Sequence, residues 1–179
     1  MARAVNRRHV ILVGLPGAGK TTVGRLAAAL LDASFTDLDD AIESTAGKSV
    51  SRIFAEDGEP VFRALEASQG RRIFREPAGV IAVGGGFMSE PGNVSEALAA
   101  GLVIYLKVSA EAAAARLSAT TGRPLLDAAA GDLAAAIRQL LVAREAAYLA
   151  SGIDVTTDDL TPAQTAGLVA ELAREQGGW

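Results

Sequence analysis

Apolar residues run unbroken through "HVILVG", residues 9–14, as they do in a strand buried on both faces. The stretch that follows the next loop, "TTVGRLAAALLDA", spaces its apolar positions for a helix with one face toward a core. A short strand is expected in "SFTDLD", then helical pieces around residues 40–45 and 49–57. A longer helix opens at Glu59-Pro60, where proline suits the first turn. "GVIAVGGG" reads as a third strand ending in glycines, Pro91 opens the helix "PGNVSEALAA", and "GLVIYLKV" is a fourth strand. Ser109 is placed to cap the helix that carries Arg116, Asp132 begins a long helix through Leu149, and "GIDVTT" is a fifth strand. Thr161-Pro162-Ala163-Gln164 combines an N-cap, a first-turn proline and a capping-box partner before the last helix. This alternation predicts an α/β fold, a parallel sheet with helices on both faces.

Composition narrows the classes of function. A chain of 179 residues, 50% of them hydrophobic, is long enough for one well-buried domain and short for two. Its net charge of −4 sets up no global field for nucleic acid or an anionic membrane, so an anionic substrate must be met by local arginines. The lack of cysteine excludes a disulfide scaffold, a thiol nucleophile and a thiolate zinc site. No apolar run approaches the roughly 18 residues of a membrane span, and "MARAVNRRH" leads too quickly into a strand and loop to be a signal peptide. A cytoplasmic protein is expected, and a monomer.

The chemistry begins between the first strand and first helix. Gly14-Leu15-Pro16-Gly17-Ala18-Gly19-Lys20-Thr21 fits G-x-x-x-x-G-K-[ST] at every fixed position and in the strand-to-helix context the motif needs. Such a loop turns successive backbone N–H groups toward phosphate oxygens, aided by the helix N-terminus. Gly17, Ala18, Gly19, Lys20, Thr21 and Thr22 are therefore expected to hold a nucleoside triphosphate, with Lys20 reaching its β- and γ-phosphates and Thr21 ligating Mg2+. The bland alternative is a tight glycine turn with a solvated lysine.

Three further features point to a kinase. Asp37 and Asp39 stand two apart at the end of the second strand, where both side chains face one cleft: one suits magnesium, the other an acceptor hydroxyl. A solvated strand end or a helix cap is the alternative. Gly84-Gly85-Gly86 closes the third strand and leaves room for a ligand against the backbone. That strand has no acidic tip, which leaves Asp37 as the candidate for magnesium. Arg63, Arg116, Arg123 and Arg144 are the candidate cations; taken singly, an arginine on a helix is usually solvated. Arg123 in "TTGRPLL" sits between two helices, where a closing lid would carry it onto the phosphates.

Taken together, the glycine loop, "DLD", "IFAEDGEPVFRALE", "GGG", "GRPLL" and "AREAAY" resemble the shikimate kinase family, in order and over nearly the whole chain. The resemblance implies a nucleoside monophosphate kinase-like, three-layer fold with a five-stranded parallel sheet. It implies a core of residues 9–37, 79–117 and 131–179, a substrate-binding region of about 38–78 and a mobile lid of about 118–130. The implied reaction is ATP- and Mg2+-dependent phosphorylation of the 3-hydroxyl of shikimate. By resemblance Asp39 holds ring hydroxyls and is the candidate base, and Asp37 is its magnesium-associated neighbour. Arg63 and Arg144 grip the carboxylate, with Gly84, Gly85 and Gly86 completing the pocket and Phe54 and Phe62 as its apolar walls. Arg123 neutralises charge together with Lys20, and Arg116 lies against adenine.

A kinase for another hydroxy acid such as gluconate would share the loop and fold but lack the "GGG" and the Arg63–Arg144 pair. A non-catalytic binding protein of the same fold would have lost one of Lys20, Asp39, Arg63 or Arg123. A GTPase switch would carry a guanine-reading N-K-x-D segment, which this chain lacks. "TTDDLTP" departs from the family, with Asp158 and Asp159 where a basic residue is usual. His9 reads as a strand-edge residue and Trp179 as a frayed end.

Overall fold

The computed structural model describes residues 7–118 and 132–179. Five strands form one parallel sheet: β1 (His9–Val13), β2 (Phe35–Asp37), β3 (Val80–Ala82), β4 (Gly101–Lys107) and β5 (Asp154–Thr156), in the spatial order β2-β3-β1-β4-β5. Among the described residues eight α-helices flank it: α1 (Lys20–Leu31), α2 (Leu38–Ala46), α3 (Val50–Glu56), α4 (Glu59–Ile73), α5 (Pro91–Ala100), α6 (Ala110–Ser118), α7 (Leu133–Leu149) and α8 (Pro162–Gln176). A 3-10 turn, Phe87–Ser89, follows the triple glycine.

The central strand explains the unbroken apolar run. Every residue of β1 is buried, with Val10 in register with Val80 of β3 on one side and Leu102 of β4 on the other. Each fully buried aliphatic side chain contributes about 1.5–3 kcal/mol relative to exposure, so this strand anchors the core. Helix boundaries follow the caps: Ser49 accepts from Arg52 N–H, Asp132 from Ala135 N–H, and Thr161 and Gln164 form the reciprocal capping box. α1 packs on α8, α6 on α7, and α2, α3 and α4 on one another.

Two expectations need correction. Asp39 does not lie on a strand. β2 ends at Asp37, and α2 starts at once because Asp37 Oδ1 accepts the Asp39 N–H at 3.0 Å, the N-cap of that helix. Trp179 does not fray: its Nε1–H donates to Arg8 O at 2.9 Å, and its ring lies 4.9 Å from the Arg7 guanidinium and against the core. His9 is buried at the start of β1, where Nδ1 accepts the Gly79 N–H at 3.2 Å, a structural role.

Candidate active site

The chain passes from β1 to β2 on one side of the sheet and later to β4 on the other. In such sheets ligands bind beyond the C-terminal strand ends, where the order switches. A cleft of about 370 Å³ lies there, lined by the glycine loop, Asp37, Asp39, Gly84, Gly85, Arg116 and Thr157 among others.

The loop fits a phosphate chain by its own geometry. Gly19 caps α1 at φ 88, a conformation that disfavours any side chain, and the cap supplies no side-chain acceptor. Nor does the first turn of α1 contain an acidic residue, so its orphan N–H groups and positive dipole end suit an anion. Lys20 Nζ donates to Gly14 O at 2.8 Å and Leu15 O at 3.0 Å, which folds the ammonium back over the loop. Ala18 N–H donates to Leu15 O at 3.1 Å, and Thr22 lines the cleft.

Thr21 and Asp37, the two candidate magnesium ligands, stand side by side. Thr21 Oγ1 donates to Asp37 Oδ2 at 2.6 Å, while Asp37 Oδ1 caps α2. One carboxylate thus holds both the first turn of α1 and that of α2, and a hydroxyl beside a carboxylate is the oxygen donor set a hard cation such as magnesium takes. Asp37 is therefore a helix cap and also a fitting magnesium partner. Asp39 reaches the cleft from the first turn of α2.

Around the triple glycine the acidic and basic side chains converge. A Cβ on Gly84 would stand 2.6 Å from Glu66 Oε1 and 3.1 Å from Asp39 Oδ1. One on Gly86 would meet Arg63 Nη2 at 2.6 Å, and one on Gly85 would lie 3.4 Å from Arg144 Nη1. Charged groups thus crowd this strand end, and side chains at Gly84 or Gly86 would displace Glu66 or Arg63. Phe54 and Phe62 pair at 4.6 Å between ring centroids, and the Arg63 guanidinium carbon sits 5.2 Å from the Phe62 ring. Phe62 is buried and Phe54 half-buried, so the pair serves the core and also walls the arginine.

Sequence reasoning left Glu66 without a role. It is wholly buried, and its Oε2 accepts from Arg63 Nη1 at 2.6 Å. Glu59, exposed, accepts from Arg63 Nε and Nη2 at 3.2 and 3.0 Å. The signal was the i, i+3 spacing of Glu66 to Arg63 on a helix. Burial pushes the Glu66 carboxyl above its ordinary value, and Arg63 only partly opposes this. Below the ordinary glutamate value of 4.5 folded and unfolded chains both hold that proton. As pH rises through the higher folded value the group's contribution to stability is lost. Denaturant unfolding across pH 4–8 should therefore show Glu66→Gln flattening a decline that the unsubstituted chain retains; parallel profiles would contradict it.

At the other end of the cleft Arg116 is fixed by Thr157. Nη2 donates to Thr157 O at 2.7 Å and Nη1 to Thr157 Oγ1 at 3.1 Å. Asp158 accepts the Ser109 N–H at 2.9 Å, tying the turn after β5 to the start of α6. The acidic departure thus has a structural task. Arg123 lies outside the described residues.

The shikimate kinase family model matches residues 16–174. This chain belongs to the shikimate kinase family. The shikimate kinase of Desulforudis audaxviator is 41% identical over 170 residues, covering 95% of this chain and 88% of that protein. Among solved structures, shikimate kinase from Acinetobacter baumannii in complex with shikimate superposes with a TM-score of 0.89 at 31% identity, covering 94% of each chain. A gluconokinase from Sinorhizobium meliloti reaches a TM-score of 0.56 at 16% identity, with 95% of each chain covered, a likeness of fold alone. The family fold is the one described above, a five-stranded parallel sheet between helices.

Proposed function

We propose that this protein transfers the γ-phosphate of ATP to the 3-hydroxyl of shikimate, giving shikimate 3-phosphate and ADP on the way to chorismate and the aromatic amino acids. One observation carries the reading. The phosphate loop, Asp39 and the Arg63–Arg144 pair meet at the glycine-rich end of β3, in a chain of this family.

In this reading residues 38–78 form the acceptor region and residues 118–130 the lid. Arg63 and Arg144 bind the acceptor carboxylate through charge-assisted hydrogen bonds, which arginine's planar fork makes in pairs. Asp39 orients the acceptor hydroxyl and takes its proton as the oxygen–phosphorus bond forms and the bond to ADP breaks. Lys20 stabilises charge on the transferring group, and Arg123 is assigned the same task by resemblance. Thr21 and Asp37 would hold magnesium, which would supply charge compensation for the phosphates. Arg116 and the turn at Thr157 receive the base. Single-domain length and a net charge of −4 support a cytoplasmic monomer. Among the described residues no helix is long and apolar enough to cross a membrane.

Arg63→Ala is the direct test. Loss of a charge-assisted contact of about 1.5–3 kcal/mol should raise the shikimate KM roughly 10- to 150-fold. Steady-state kinetics should show the ATP KM unchanged; an unaltered shikimate KM would remove Arg63 from the site.

A further inference from the structure

We infer that Tyr148 is a positioning residue for the acceptor, its hydroxyl setting the orientation of the Gly85–Gly86 peptide; this rests on the acceptor reading given above. The three glycines have no side chains to hold them in place. Around them Phe87 N–H bonds to Gly84 O at 3.1 Å and Ser89 N–H to Gly86 O at 3.0 Å. The middle carbonyl, Gly85 O, accepts from the Tyr148 hydroxyl on α7. A trans peptide holds C=O and the next N–H in one plane, pointing in opposite directions across the C–N bond. Anchoring Gly85 O to α7 therefore turns the Gly86 N–H away from α7 and fixes it there.

The anchor itself is rigid. Tyr148 is 1% exposed, and its ring packs at 5.0 Å against the ring of Tyr105. Burial pushes its hydroxyl up to about 12, so it remains a donor throughout the working pH range. Arg144 stands one turn earlier on α7, and its charge acts on the same hydroxyl, partly opposing the effect of burial. Its Nη1 is 3.4 Å from where a Gly85 Cβ would lie. One helix therefore delivers both a carboxylate-binding cation and the tether that orients the peptide beside it. The span from Gly85 to Tyr148 is 63 residues, so no local pattern in the sequence announces the bond.

Tyr105 provides the control, because its hydroxyl is also buried and has no hydrogen-bond partner among the described residues. Tyr148→Phe and Tyr105→Phe each remove one buried hydroxyl and keep the ring. In the full chain, Tyr148→Phe should raise the shikimate KM roughly 3- to 10-fold, the scale of one neutral hydrogen bond, and leave the ATP KM unchanged. Tyr105→Phe should leave both unchanged. Three outcomes overturn the proposal: a Tyr148→Phe chain that melts earlier with both KM values intact, one whose two KM values rise together, or one that does not fold. If Arg63→Ala also leaves the shikimate KM intact, the acceptor reading itself has failed; if Arg63→Ala raises it, only the role of Tyr148 falls.

Discussion

Lys20→Ala should reduce shikimate-dependent ADP formation by roughly 10²–10³-fold while leaving the protein folded. Removing one preorganised donor from a site of developing charge costs about that much. Lys20 is the first residue of α1 and adds its charge where the helix dipole is already positive. Its bonds to Gly14 O and Leu15 O hold the ammonium against the loop. The helix itself does not depend on it: Val23, Ala27, Ala28 and Leu31 are buried and anchor α1 in the core. A variant with an unchanged thermal transition and lost turnover is the expected result. Retention of a tenth or more of the turnover would contradict the role of the loop.

Asp39→Asn should lower kcat roughly 10²–10⁴-fold, the range for a lost general base. The swap keeps shape and hydrogen-bonding capacity but removes the charge that takes a proton. α2 should survive it, because Asp37 rather than Asp39 caps that helix. The variant also separates the two aspartates, since Asp37→Asn would disturb Thr21 and the cap together. A change confined to the shikimate KM would reduce Asp39 to a binding group.

Elements governed by local physics were legible in the chain. The buried strands followed from unbroken apolar runs, and α7 and α8 began where Asp132 and Thr161 offer caps. The phosphate loop was legible because its geometry is enforced within eight neighbouring residues. Asp39 was placed on the right cleft for the wrong reason. Alternation along a strand predicted a shared face, whereas a helix cap at Asp37 ends the strand and brings Asp39 in from the first turn of α2.

What was not legible depends on pairs distant in sequence. The triple glycine reads as a space for ligand, but a side chain there would also crowd neighbours from elsewhere in the chain: Glu66 at Gly84, Pro16 at Gly85, Arg63 at Gly86. Asp158 reads as a lost nucleotide contact, yet it serves a backbone N–H 49 residues earlier. Trp179 reads as a loose end, yet it closes onto Arg8, 171 residues away. Side-chain chemistry suggests which groups are able to pair; only the fold decides which of them do.

The most direct test of the acceptor assignment is ADP release from Mg-ATP with and without shikimate, with gluconate and quinate in parallel. A large rate dependent on shikimate alone is expected, lost in Lys20→Ala. ATP binding with no stimulation by shikimate, or stimulation by gluconate instead, would contradict it.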